Sequence, residues 1–168
     1  SLLDTDPARA AEPLEYLQAL AESSLAEIRA LIFDLRPDSL SDDGLIASLN
    51  RRVEVLRFRH HLQVVTHLCE EPEAPLELKE AVLRVAQEAL HNTVKHARAT
   101  RIDLRLARNG ATLALEVRDD GEGFDASATF PGHFGLRSMR ERVAGAGGTL
   151  ELSSAPGEGT RLLALFPL

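Results

Sequence analysis

The chain has 168 residues, of which 44% are hydrophobic and 27% are charged, and its formal net charge is −7. This composition indicates a folded protein with its own core and excludes a disordered chain. A single cysteine, Cys69, excludes an internal disulfide framework and fits a reducing compartment such as the cytoplasm. The negative charge argues against a general nucleic-acid surface, and no apolar run approaches the ~20 residues that span a bilayer.

The first 36 residues predict one long amphipathic helix, from Pro13 to Arg36, and residues 37–43 predict a linker. A stripe of this length and width needs partner helices, so a bundle or dimer helix is favoured over a helix packed on its own domain. The heptad a and d positions are held by Leu14, Leu17, Ala21, Ser24, Ile28, Leu31 and Leu35.

Residues 44–168 predict an α+β domain, in which helices cover one face of a largely antiparallel sheet. The clearest hairpin has alternating apolar residues on both sides of Asn109-Gly110, a pair typical of a type I′ turn. Helices are predicted at about 43–59, 76–97 and 135–146, a strand at 62–68, and hairpins at 102–117 and 150–166.

Four polar residues, Glu88, Asn92, Lys95 and His96, fall on one stripe of the helix predicted at 76–97. A solvated helix face is the plain interpretation of such a stripe. The same set also suits a metal–phosphate site, because Mg²⁺ prefers oxygen ligands, which Asn92 and a water held by Glu88 could supply. Lys95 and His96 could contact phosphate oxygens.

Three glycine-containing motifs follow. In the first, Asp119 ends a strand, and its carboxylate could accept a hydrogen bond from an exocyclic amine such as that of adenine. Gly121 and Gly123 would let a ligand approach the backbone closely. The second motif, Gly132-His133-Phe134-Gly135-Leu136, runs into a helix N-terminus, which favours phosphate binding. The third, Gly157-Glu158-Gly159-Thr160, is on its own a plain hairpin turn, and each of the others has a plain turn or cap as its alternative.

Taken in this order, the four motifs resemble the GHKL-type ATP-binding domain that DNA gyrase and histidine kinases share. The amino-acid sequences of segments 29–37, 84–97 and 135–143 resemble those of the bacterial sensor histidine kinases that pair with LuxR-type response regulators. The resemblance implies an α/β sandwich with a mixed, largely antiparallel sheet and helices on one face, preceded by one long bundle helix. Residues 1–36 would then be the second helix of a dimerisation and histidine-phosphotransfer domain, and 44–168 would be the catalytic domain.

The resemblance also implies a role for each motif residue. ATP and Mg²⁺ would be bound, with Asn92 as the Mg²⁺ ligand and Glu88 as the general base or water-holder. Lys95 and His96 would contact phosphate, Asp119 would bind the adenine amine, and Gly121 and Gly123 would shape its pocket. Gly135 and Leu136 would close a lid over the phosphates, and Thr160 would support the adenine through Asp119 or a water. His133 stands where the family's glycine box usually has a glycine.

The implied activity is transfer of the ATP γ-phosphate to a histidine and then to an aspartate of a response regulator, in a homodimer without direct nucleic-acid contacts. In the family an acidic residue follows the acceptor histidine, and none of the six histidines here precedes Asp or Glu. We therefore expect the acceptor upstream of Ser1, and we expect this chain to bind ATP without phosphorylating itself. The alternatives are a GHKL-type ATPase, an anti-sigma-type serine kinase, and a non-catalytic dimerisation module with a degenerate nucleotide site.

Overall fold

The computed structural model describes residues 40–125 and 134–168. The helices are α1 (Leu40–Asp43), α2 (Leu45–His60), α3 (Leu76–Asn92) and α4 (Phe134–Gly145), and a π-helical turn, Thr93–Ala97, continues α3. The strands are β1 (Gln63–Leu68), β2 (Arg101–Asn109), β3 (Thr112–Asp119), β4 (Thr149–Ser154) and β5 (Thr160–Pro167). Within these residues no helix combines the length and the apolar character that crossing a membrane requires.

The five strands form one sheet in the order β1-β2-β3-β5-β4. β1 pairs with β2 in parallel, whereas β2 with β3, β3 with β5 and β4 with β5 are antiparallel. The predicted mixed, largely antiparallel sheet is thus confirmed. Asp119 pairs with Thr160 at the end of the central β3–β5 ladder, which brings two of the predicted site residues together.

One face of the sheet is buried under the helices, and the other face carries exposed or partly exposed residues such as Arg105, Glu116 and Arg161. α2 contacts β1, α3 contacts β3, and α4 contacts β4 and β5, so all three longer helices cover the same face, as predicted. The period-two alternation of the strands produces this arrangement. The buried apolar residues of β2, β3 and β5 are Ile102, Leu104, Leu106, Leu113, Leu115, Val117, Leu162, Ala164 and Phe166.

The start of α2 is held by Glu71, from the segment after β1. Its carboxylate accepts hydrogen bonds from the backbone N–H groups of Leu45 and Ile46, both at 2.9 Å, and from Lys79 Nζ at 2.7 Å. Partial burial raises the pKa of Glu71, but the hydrogen bonds from Ile46, Lys79 and Leu45 outweigh it and hold the pKa below its usual range. The carboxylate therefore supplies the acceptors that the first turn of α2 lacks.

Three expectations from the sequence need comment. Leu40–Asp43, expected to be linker, is a helical turn, because Leu40 is buried in the core. In the β2–β3 turn, Gly110 and Ala111 lie between the paired residues Asn109 and Thr112. Gly110 has φ +60°, whereas Ala111 has no positive φ. This fits a type II′ turn, so the predicted type I′ turn is wrong. The long helix at 13–36 lies outside the described residues, and the division at 1–36, 37–43 and 44–168 stays a prediction.

Candidate functional site

A cavity of about 480 Å³ opens between the α3 helix with its π-helical turn, the start of α4 and the ends of three strands. Its walls combine one buried carboxylate with a largely apolar floor, which is the usual make-up of a small-molecule site. The lining residues are Ala89, Asn92, Thr93, Lys95, His96, Ala97, Val117, Asp119, Gly123, Phe124, Gly135, Leu136, Met139, Leu152, Thr160 and Leu162.

Asp119 is the buried acid of this cavity, with a relative exposure of 6%. Its Oδ1 accepts hydrogen bonds from the backbone N–H groups of Gly121 at 3.0 Å and Thr160 at 3.1 Å. The Thr93 hydroxyl donates to Oδ2 at 3.0 Å and also lies 3.2 Å from the carbonyl oxygen of Ala89. Three elements therefore hold one carboxylate in a fixed orientation at the cavity wall.

The neighbouring acid, Asp120, makes a different set of contacts. Its carboxylate faces away from the cavity lining and accepts hydrogen bonds from Thr100 N and Arg101 N, both at 2.8 Å, and from Thr100 Oγ1 at 2.6 Å. The Thr100 hydroxyl and then the Arg101 N–H hold the pKa of Asp120 below its usual range. Asp120 thus ties the loop after β3 to the start of β2.

Gly121 and Gly123 hold this loop tightly against the rest of the site. A Cβ at Gly121 would collide with the carbonyl oxygen of Ala97, the residue that ends the π-helical turn. Gly123 has φ +61°, and a Cβ there would collide with the carbonyl oxygen of Ala155. Side chains are excluded at both positions because backbone packs on backbone, so these glycines fix the position of the loop, with Gly123 in the cavity lining and Gly121 outside it.

The end of α3 and the π-helical turn contribute further polar residues to the cavity lining. Asn92, Lys95 and His96 line the cavity, with Lys95 and His96 exposed and Asn92 partly buried. The turn begins where Thr93 N contacts both Ala89 O and Leu90 O, and it ends at Arg98 with φ +49°. Inserted π-helical turns recur at functional sites, since they alter the direction of the side chains that follow.

Glu88 lies at the edge of the cavity and outside its lining. Its carboxylate packs on the α4 N-terminus so closely that a Cβ at Gly135 would collide with Glu88 Oε1 and lie 3.5 Å from Asn92 Nδ2. Gly135 and Leu136 line the cavity, whereas Glu88 lines a second, polar cleft of about 300 Å³ on the other side. Glu88 is therefore placed between the two openings.

The structure brings together at one cavity eight of the ten predicted site residues, with Gly121 just behind the wall and Glu88 at the edge. Gly132 and His133 lie outside the described residues. Two further residues were not predicted: Thr93, which follows Asn92 directly in the motif, and Ser154. The Ser154 hydroxyl joins three partners: it accepts from Phe124 N at 2.9 Å, donates to Gly159 O at 2.8 Å and lies 3.2 Å from Thr160 Oγ1.

Comparisons with known proteins agree with this geometry. Residues 77–168 match the family described as histidine kinase-, DNA gyrase B-, and HSP90-like ATPase. The chain is 33% identical over 162 residues to the signal transduction histidine-protein kinase/phosphatase DegS of Brevibacillus brevis, covering 95% of this chain and 42% of that protein. It is 32% identical over 157 residues to the sensor protein VraS of Staphylococcus epidermidis, covering 94% of this chain and 45% of that protein.

The chain thus spans less than half the length of these two relatives. Among solved structures, it resembles the histidine kinase domain of the Erythrobacter litoralis EL346 blue-light activated histidine kinase, with a TM-score of 0.64 and 27% identity. That match covers 74% of this chain and 61% of the solved one. The chain therefore belongs to the family of histidine kinase-, DNA gyrase B- and HSP90-like ATPases, and over nearly its whole length it is similar to sensor histidine kinases.

Proposed function

We propose that the cavity binds Mg²⁺-ATP, with the adenine at Asp119 and the phosphates at Asn92, Lys95 and His96, and that the γ-phosphate is transferred to a histidine of the kinase's phosphotransfer domain. The observation that carries the proposal is the fixed, buried carboxylate of Asp119 in a cavity whose remaining lining is mostly apolar. A buried acid in an apolar pocket selects a ligand with a hydrogen-bond donor at that point.

The adenine end is supported by the hydrogen bonds of Asp119. A carboxylate offers about four acceptor positions, and Gly121, Thr160 and Thr93 use three of them. The remaining position on Oδ2 is available to an exocyclic amine that enters the cavity. Val117, together with apolar residues from the strands and α4, supplies a surface on which a flat purine ring can pack.

The proposal for the phosphate end is supported by donor groups of the π-helical turn. Lys95 offers an ammonium group and His96 an imidazole to phosphate oxygens, and both line the cavity. Asn92 and the adjacent Glu88 carboxylate present the hard oxygen atoms that Mg²⁺ prefers, so this donor set fits the ion. When bound, Mg²⁺ would neutralise charge on the phosphates.

Glu88 is proposed as the general base or water-holder, because its carboxylate lies at the boundary where an acceptor group would meet the phosphates. For the whole kinase we propose a cytoplasmic homodimer, joined through the helix predicted at 13–36, that passes its phosphate to an aspartate of a LuxR-type response regulator. The similarity to DegS and VraS, named as a kinase/phosphatase and a sensor protein, supports this part of the proposal.

The test uses Asn92→Ala in the full-length kinase, with Asn50→Ala, an exposed asparagine on α2, as the matched control. We expect the wild type and the control to form acid-labile, alkali-stable phosphohistidine from ATP, and Asn92→Ala to form none. Acid-stable phosphate would identify a serine kinase. ATP turnover without a phosphoprotein would identify an ATPase, and a lack of ATP binding in calorimetry would identify a non-catalytic module.

A further inference from the structure

A second opening, which we name the arginine cleft, lies between α2, α3 and α4 and has a volume of about 300 Å³. It is mainly polar, and four of its residues are basic, although the chain as a whole carries a net charge of −7. Its lining residues are Arg52, Arg84, Gln87, Glu88, His91, Ser138, Met139 and Arg142.

Three helices contribute to this cluster of positive charge. Arg84 and His91 are seven positions apart on α3, so they lie about two turns apart on one side of the helix, with Glu88 between them. Arg52 comes from α2 and Arg142 from α4. The lining also holds one acidic residue, Glu88, but its three arginines leave a positive balance, and a cleft of positive balance concentrates anions.

Arginine chemistry defines what such a cleft binds. The Arg84 guanidinium donates from Nη1 to Gln87 Oε1 at 3.2 Å, and a guanidinium has five N–H donors in a planar fork. Arginines of this kind recognise carboxylates and phosphates through paired hydrogen bonds. The cleft is therefore suited to an anionic group.

The position of the cleft narrows the choice of anion. Met139 lines both the cleft and the ATP cavity, and Glu88 lines the cleft while its carboxylate packs on Gly135, which lines the cavity. A polypeptide whose acceptor side chain reaches the phosphates past Glu88 would therefore lie next to the cleft. The phosphates of ATP itself have Asn92, Lys95 and His96 on the other side of Glu88.

We propose that the arginine cleft docks an acidic side chain of the polypeptide segment that presents the acceptor histidine to ATP. This inference rests on the proposed function, because it requires a histidine as the phosphoryl acceptor. The cleft holds the acceptor segment and leaves ATP affinity unchanged, so it acts on the transfer step and not on nucleotide binding.

The experiment compares Arg84→Glu/Arg142→Glu with the wild type in the full-length kinase. We expect the initial rate of phosphohistidine formation at saturating ATP to fall by about tenfold or more, while the dissociation constant for ATP changes by less than about twofold. Arg105→Glu/Arg108→Glu introduces the same change in charge at exposed positions of β2, outside both openings, and should keep the wild-type rate. The Arg84→Gln/Arg142→Gln variant should show a smaller loss of the same kind. Because it removes the positive charges without reversing them, it controls for misfolding caused by charge reversal.

A charge swap completes the test. The phosphorylated histidine is mapped by mass spectrometry, and each acidic residue within one helical turn of it is changed to arginine. We expect one such change to slow the wild type and to restore part of the rate of Arg84→Glu/Arg142→Glu. The proposal would be overturned if Arg84→Glu/Arg142→Glu kept the wild-type rate or lost ATP affinity to the same extent. It would also be overturned if only transfer onto the response regulator were slowed, or if no swap restored the rate. A wild type that binds no ATP or forms no phosphohistidine would instead refute the proposed function.

Discussion

Asp119→Asn is the substitution that tests the nucleotide site most directly. An amide at position 119 can keep the structural hydrogen bonds, because its oxygen can still accept from Gly121 N and Thr160 N. Its NH₂ group would face the Thr93 hydroxyl, which can accept and can donate instead to Ala89 O at 3.2 Å. We therefore expect the domain to stay folded.

We expect Asp119→Asn to weaken ATP binding although the domain stays folded. The acceptor position of Oδ2 becomes an N–H donor, and it meets the donor of the adenine amine. Losing a hydrogen bond to a buried charged group costs about 1–3 kcal/mol, which corresponds to about 5- to 150-fold weaker ATP binding. Inosine triphosphate carries a carbonyl oxygen in place of the amine, so its affinity should fall less or rise.

The assay is titration calorimetry of both nucleotides against the wild type, Asp119→Asn and Asp120→Asn. Asp120 is the control, because its carboxylate is engaged by Thr100 and Arg101 and lies outside the cavity lining. We expect Asp120→Asn to lower thermal stability and to leave the preference for ATP over inosine triphosphate unchanged. An Asp119→Asn variant with wild-type preference would refute the assignment of the adenine end.

Further predictions concern glycines and one acid. Gly121→Ala should cost about 1–3 kcal/mol in the free energy of urea unfolding, because its Cβ has no room, whereas Gly145→Ala, which meets nothing within 4 Å, should cost nothing. Gly135→Ala should leave stability nearly unchanged but lower the kinase rate by up to about 100-fold, since it displaces the Glu88 carboxylate; an unaltered rate would argue against a catalytic Glu88. Glu71→Gln should lower stability by about 1 kcal/mol at neutral pH. Because the folded pKa is lowered, this difference should shrink as the pH falls below the ordinary value of 4.5, and a constant difference would contradict it.

Much of this domain could be predicted because its patterns are local. The alternation in β2, β3 and β5 determines which face is buried, and the helical spacing of α3 determines its buried side. The Asp119 motif was identified because an acid and two glycines follow directly on a strand. Asp119 pairs with Thr160 because β3 ends where its antiparallel neighbour β5 begins.

Other features depend on contacts that no local pattern encodes. The helical pattern of α3 continues through His96, so an α-helix was predicted there and the π-helical turn was not. It coincides with the packing of Ala97 against Gly121, from a segment more than twenty positions away. The position of Glu88 at the edge of the cavity could not be predicted either. Helical spacing groups Glu88 with Asn92, whereas in the structure Asn92 lines the cavity and Glu88 lines the second cleft.

The two ends of the ATP cavity are also mechanically connected through backbone. Ala97 O accepts from Glu122 N at 2.7 Å, and Gly121 packs on the same carbonyl, so the loop that holds Asp119 rests on the turn that holds Lys95 and His96. The Gly157 N–H donates to Glu122 O at 2.6 Å and joins the β4–β5 turn to the same loop. The Thr93 hydroxyl, which belongs to the same turn, adds a second link through its hydrogen bond to Asp119 Oδ2. The proposed adenine and phosphate ends thus belong to one continuous structure, which explains how Gly121, a glycine outside the cavity lining, contributes to the shape of the site.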